Sequence, residues 1–329
     1  MITLIAQRLG HGCLVIFVVS ILAFLLSSLV GDPVASILGL NATPEDRAAL
    51  AQDLGLNDPF LVRYATFVWN ALHFEFGMSW AAQRPVADVF AERVPATLEL
   101  AAVALVISLG VGIPVGIVAA VNRGAWWSSV MMSATVVGLS LPTFVVGILL
   151  IFVFSVQLGW LPSFGRGETV AIGWWQTGLL TASGLKALIM PALALAISQV
   201  ALVARLVRAE MLDVLRTDYI RFARARGIAP RVIEFGHALR NTLIPVITVS
   251  GIQLGFLVAF AVVAEAVFQW PGVGLLFLRS LGSTDVPVIS AFLLLAAAFF
   301  VLINLAVDIL YVVVDPRLRV GSTGKVSVH

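Results

Sequence analysis

An all-α, polytopic membrane protein with six transmembrane helices is the fold class this sequence predicts, on three observations. Apolar residues fill 60% of the 329 positions and charged residues only 12%, far outside the balance of a soluble domain. Six uncharged runs come close to or exceed the roughly 20 residues that a helix needs to cross a bilayer core. Lys and Arg crowd into particular connecting loops, and their placement, unlike the net charge of +2, carries orientation.

The first run is 12–30, preceded by Arg8. Its 19 uncharged residues exceed the about 7–15 of a signal-peptide core, and no A-x-A-like site follows, so it is expected to remain as a span. Residues 31–99 form an outer segment with nine acidic residues and four arginines. Within it, Thr43-Pro44-Glu45-Asp46 supplies an N-cap, a proline at N1 and an acid at N3, with Gly55 as a stop. Asp58-Pro59 opens a second short helix through Trp69, whose Phe60, Tyr64, Phe67 and Val68 make an apolar stripe. That stripe can pack on the bundle, lie among headgroups or dock an external partner. Residues 100–329 hold the other five runs, 100–121, 130–158, 187–204, 243–264 and 286–307.

A seventh candidate, 169–185, is uncharged but carries Gly173, Gly178, Gly184 and Gln176, and its Trp174-Trp175 pair suits an interface. Parity also argues against it. The loop 205–245 carries eight arginines against four acids and belongs in the cytoplasm, and a seventh span would move it outside. With six spans, both termini are expected in the cytoplasm.

Several chemistries lack their residues. The nearest approach to a phosphate loop, Gly324-Lys325-Val326, has Arg319 at the first glycine position and no hydroxyl. His11, His73, His237 and His329 are too scattered for a zinc motif, and the lone Cys13 permits no disulfide within the chain. Gly77-Met78-Ser79-Trp80-Ala81 misses the nucleophile-elbow pattern at its last position, so Ser79 is read as structural. No catalytic or metal residue is expected.

The most informative words are Asp218-Tyr219-Ile220-Arg221-Phe222-Ala223-Arg224-Ala225-Arg226-Gly227 and His237-Ala238-Leu239-Arg240-Asn241-Thr242-Leu243-Ile244-Pro245. The first has helical propensity, small residues that permit close approach, and Gly227 to end it before Pro230. Together they resemble the D-Y-x-R-T-A-R-A-K-G…H-A-L-R-N-x-L-I-P signature of the dipeptide, oligopeptide and nickel permease family of ABC importers, in particular its dipeptide-type B permease. Other words in the family's order are Gly31-Asp32-Pro33, Leu54-Gly55-Leu56, Phe76-Gly77-Met78-Ser79, Arg84-Pro85-Val86, Pro95-Ala96-Thr97-Leu98-Glu99-Leu100 and Leu141-Pro142-Thr143-Phe144. They continue with Leu158-Gly159-Trp160-Leu161-Pro162, Glu265-Ala266-Val267-Phe268, Trp270-Pro271-Gly272, Asn304-Leu305-Ala306-Val307-Asp308 and Asp315-Pro316-Arg317.

The resemblance implies a type I ABC importer permease in a bacterial inner membrane, importing di- or oligopeptides or similar small solutes. It implies a second, homologous permease, two cytoplasmic ATPase subunits that hold ATP and Mg, and an external substrate-binding protein, with no cofactor on this chain and no nucleic acid. Asp218, Tyr219, Arg221, Ala223, Arg224, Ala225, Arg226 and Gly227 are carried over as the coupling helix that contacts an ATPase. Departures from the pattern are Phe222 in place of threonine, a glycine-free Leu257-Val258-Ala259-Phe260-Ala261, Ser283-Thr284-Asp285-Val286-Pro287 without the tyrosine of a D-Y-P word, and a long 168–186 segment.

Within the spans, Glu265, Asn304 and Asp308 need partners or water. They are candidates for a polar pathway or gate, or for helix-to-helix bonds, the second reading applying above all to Asp308. Two other functions remain open on residues alone. A proton-driven carrier would run without ATPase subunits, and an intramembrane hydrolase would depend on Ser79.

Overall fold

The computed structural model describes residues 2–30, 34, 38, 43–53 and 55–314. The words Gly31-Asp32-Pro33, Leu54 and Asp315-Pro316-Arg317, with Arg319, Lys325 and His329, lie outside the described residues.

Among the described residues, five helices are long and apolar enough to cross a membrane: α1 (Ile2–Leu29), α4 (Val86–Val121), α7 (Ala182–Leu215), α9 (Leu239–Val267) and α11 (Val286–Val314). A sixth span is broken. The run 130–158 divides into α5 (Trp126–Ser140) and α6 (Thr143–Leu150), the latter widening into a π-helical stretch, Ile151–Gln157, and the two arms bend by 104°. Pro142 has no N–H to continue the ladder and drives Leu141 extended, at φ −84° and ψ 124°. A sequence reading that follows hydropathy alone runs through such a break.

The outer segment folds locally much as its caps dictate. In α2 (Pro44–Asp53) the Asp46 N–H donates to Thr43 Oγ1 at 3.2 Å. In α3 (Phe60–Leu72) the aromatic stripe packs on α1, with Phe24 ringed by Phe60, Tyr64 and Phe67. The 169–185 segment is no span. It holds β1 (Val170–Ile172) paired antiparallel with β2 (Trp175–Thr177), then the first turn of α7.

Helices α4, α7 and α9 form the centre. Gly112 and Gly116, four residues apart on α4, face Val203 and the Ala204 carbonyl of α7, where any Cβ would collide. This is the small-residue spacing that lets two membrane helices approach closely. One buried cluster joins Leu100, Ala104, Leu195, Ala196, Leu257 and Trp270, and a second joins Ile117, Val207, Met211, Ile220, Ala223 and Ile233. Helix α1 lies on α11, with Gly12 against Val301. Two further short helices are α8 (Asp218–Ala225) at the arginine-rich end, followed by a π-helical stretch, Val232–Ala238, and α10 (Val273–Ser283) at the opposite, hairpin end.

Candidate functional site

At the arginine-rich end, α8 has two faces set by helical spacing. Ile220 and Ala223 are buried in the aliphatic cluster beneath α7. Asp218, Tyr219, Arg221, Phe222, Arg224, Ala225 and Arg226 are exposed, so of the two alanines only Ala223 serves close approach. The helix ends in a Schellman motif. Gly227 takes φ +75°, its N–H bonds to the Arg224 carbonyl at 2.9 Å, and the Ile228 N–H reaches back to Ala223 at 3.3 Å. Asn241 Nδ2 donates to Tyr219 Oη at 2.7 Å and ties α8 to the start of α9. Phe222 is 65% exposed, with the Arg226 guanidinium 5.8 Å from its ring centre.

The three intramembrane polar candidates do not converge. Glu265 is fully buried at the hairpin end of α9. Its carboxylate accepts from Thr97 Oγ1 at 2.5 Å and from the Leu275 N–H at 2.9 Å, while Thr97 Oγ1 accepts from the Val273 N–H at 2.8 Å. Gly272 and Gly274 lie directly against the carboxylate, where a Cβ would intrude. Glu265 thus secures the turn into α10 over the end of α4. Asp308, at the other end of the bundle, pairs with Arg8 at 3.0 Å and joins α11 to α1. Asn304 is half-buried and donates to the carbonyl of Phe300 on its own helix.

Two further buried carboxylates at the hairpin end were not singled out as sites by sequence reasoning. Glu99 of α4 meets Arg166 at 2.7 Å, with the Trp175 Nε1–H at 3.0 Å and the Gly178 N–H at 3.4 Å, and both side chains of the ion pair are under 8% exposed. Arg166 also donates to the Gln176 carbonyl at 2.6 Å and lies over Trp270. The long 168–186 segment is therefore pinned to the centre of the bundle through Arg166, two residues before it, and through its own Trp175 and Gly178. Asp285 accepts from Ser79 Oγ at 2.5 Å, the Trp80 N–H at 3.2 Å and the Ala81 N–H at 3.1 Å. The Ser79 hydroxyl is committed to closing a loop, and it also accepts from the Ala82 N–H at 2.9 Å. A lone Arg166 between Gly165 and Gly167, beside a tryptophan pair, was the available signal for the first knot. Nothing local signals the second.

Below the Glu265 knot, a cavity of 340 Å³ opens between α4 and α11 and is floored by α9. Its wall is apolar, with Val94, Val258, Ala259, Leu295 and Phe299, and Thr97 places one hydroxyl in it. Among the described residues no cluster of side chains could hold a metal ion.

A bent third span and a short, arginine-bearing helix projecting from a six-span bundle define a transporter membrane subunit. The fold agrees: over 69% of this chain and 96% of theirs, two inward-facing structures of the MetNI methionine ABC transporter superpose with TM-scores of 0.56 and 0.57 at 21% identity. The chain belongs to the family of binding-protein-dependent transport system inner membrane components, matched over residues 112–320, with that family's N-terminal component matched over 1–101. It is 40% identical over 322 residues to a protein of Brucella abortus (strain 2308) that carries the name of a peptide transport system permease, covering 97% of this chain and 99% of that one. It is also 40% identical over 320 residues to the glutathione transport system permease protein GsiC of Escherichia coli (strain K12), at the same coverage. It is a multi-pass permease subunit of an ABC importer.

Proposed function

We propose that this chain forms one half of the pathway of an importer for peptides or glutathione-like solutes, and that α8 is its contact with an ATPase subunit. The observation that carries the reading is the two-faced α8. A helix clamped to the bundle by Ile220, Ala223 and Tyr219 and presenting Phe222, Arg221, Arg224 and Arg226 outward can pass a partner's movement into α7 and α9 as a rigid rotation. The names of the 40% identical relatives support the substrate class.

In this reading ATP and Mg are held by two cytoplasmic ATPase subunits, a second permease completes the pathway, and an external binding protein delivers the solute. The chain carries no cofactor and performs no chemistry itself. The arginine-rich end faces the cytoplasm of a bacterial cell, as do both termini. Glu265 acts by positioning the outer cover of the bundle, and Asp308 acts as a helix-to-helix bond from α11 to Arg8 of α1.

The test is Phe222→Glu in the reconstituted transporter. Ala223 is buried and Gly227 has positive φ, so changes there would damage folding as well as contact, whereas Phe222 is exposed. Loaded binding protein should stimulate ATP hydrolysis more than about tenfold less than with the wild type, the size of a lost interface anchor, with unchanged thermal stability of the permease. Unaltered stimulation and uptake would remove α8 from the coupling path.

A further inference from the structure

The apolar stripe of α3 explains only one of that helix's faces. Phe60, Tyr64 and Phe67 meet α1. A second stripe, Leu61, Ala65, Trp69 and Leu72, follows at helical spacing, and its Leu61, Trp69 and Leu72 are 75, 65 and 70% exposed. The remaining sector carries Arg63, Thr66 and Asn70, again three and four residues apart. Three sectors, one on protein, one apolar and open, one polar, are the pattern of a helix lying in a membrane interface.

The depth of α3 decides what covers the open stripe. The Arg8–Asp308 ion pair marks the arginine-rich edge of the membrane on α1 and α11. Tyr64 Oη hydrogen-bonds Ser20 Oγ at 2.7 Å, and Ser20 lies twelve residues, or about 18 Å, further along α1. Phe24, the centre of the aromatic contact, lies about 24 Å from the ion pair by the same rise. Both fall inside a hydrocarbon core of about 30 Å, and any tilt of α1 brings them deeper. An independent marker agrees: Ser290 Oγ donates to the Ala23 carbonyl at 3.3 Å, so this level lies four residues, about 6 Å, inside the hairpin-side end of α11. The exposed Leu14, Val18 and Leu22 of α1 continue the same apolar surface.

We propose that α3 is embedded in the leaflet on the hairpin side, with Leu61, Ala65, Trp69 and Leu72 against acyl chains and Arg63, Thr66 and Asn70 toward the headgroups. This is the outer leaflet in the orientation proposed above, although the depth argument does not depend on that orientation. Arg63 fits the place, because its guanidinium stands 5.8 Å from the Phe24 ring centre while its stem can extend to the phosphate level. The segment between the first two spans therefore divides into a polar helix, α2, outside the core and an inserted helix, α3.

The full chain in nanodiscs of phosphatidylethanolamine and phosphatidylglycerol tests this by spin-label accessibility. Cys13→Ser removes the native thiol, and single labels are placed by Leu61→Cys, Leu72→Cys, Leu22→Cys as the lipid reference and Ala48→Cys on α2 as the aqueous reference. Collision with oxygen relative to a water-soluble nickel chelate should rise several-fold at 61 and 72 over 48 and match 22. Ready access of the chelate to 61 and 72 would place α3 in water. Labels there that are closed to both reagents would mean a protein surface covers the stripe, whether a second copy or another chain. Either result overturns the proposal.

Discussion

The two ends of the bundle are held by different physics. At the hairpin end, three buried carboxylates, Glu99, Glu265 and Asp285, each gather two or more donors, at least one of them from 67 or more residues away in the chain. At the arginine-rich end, α8 rests on aliphatic packing and one side-chain bond to α9, and its own ion pair, Arg221 to Asp218, is largely exposed. Directional bonds in a dry setting fix one arrangement, because a lost partner leaves a costly unsatisfied group. Aliphatic contact tolerates sliding and repacking. This subunit thus has a cover fixed by directional bonds at one end and, at the other, a short helix held mainly by aliphatic packing.

The largest test of that contrast is Arg166→Met. It strands Glu99 as a buried charge and should destabilise the permease by about 3–5 kcal/mol, the cost of breaking rather than replacing a buried pair. Adding Glu99→Gln should restore much of the loss, and thermal denaturation of the purified chain reads both. If the single variant melts with the wild type, the hairpin end is no more fixed than the other. Thr97→Val comes next. It keeps the shape while removing the donor to Glu265 and the acceptor of the Val273 N–H, for about 1–3 kcal/mol. Faster amide exchange across Val273 to Leu275 would locate the loss in the turn over α4. Protection equal to wild type there would show that Glu265 holds α10 without Thr97. Phe222→Glu, by contrast, should leave stability untouched while weakening ATPase stimulation.

The legibility of the two ends from sequence differs for the same reason. Five span positions followed from runs of apolar residues, and the local caps of α2 and the Gly227 stop of α8 followed from residues within one turn of each other. Where the reading ran long, in 130–158, Pro142 was visible but hydropathy outweighed it. Helix α4 also begins at Val86 rather than near 100, because Asp88, Glu92 and Arg93 interrupt the apolar run without interrupting the helix. The buried knots were illegible because their members stand 67, 168 and 206 residues apart. Family words contained Glu99, Thr97, Ser79 and Glu265 but not their pairings. Glu265 was singled out for being an acid in a span, yet its partners come from α4 and the start of α10, which no period in the sequence reveals.

The smallest expected effect belongs to the arginine-rich edge. Arg8 is 55% and Asp308 23% exposed at the side chain, so solvent and headgroups can replace much of what each gives the other. Asp308→Asn should therefore cost no more than about 1 kcal/mol and leave α1 seated on α11 through Gly12 and Val301. Stability and uptake measured on the same preparation separate the two roles open to this acid. A small stability loss with normal uptake is the outcome expected of a helix-to-helix bond. A collapse of uptake at wild-type stability would instead make Asp308 part of the pathway, and the arginine-rich end would then contain a polar contact as specific in its purpose as any at the hairpin end.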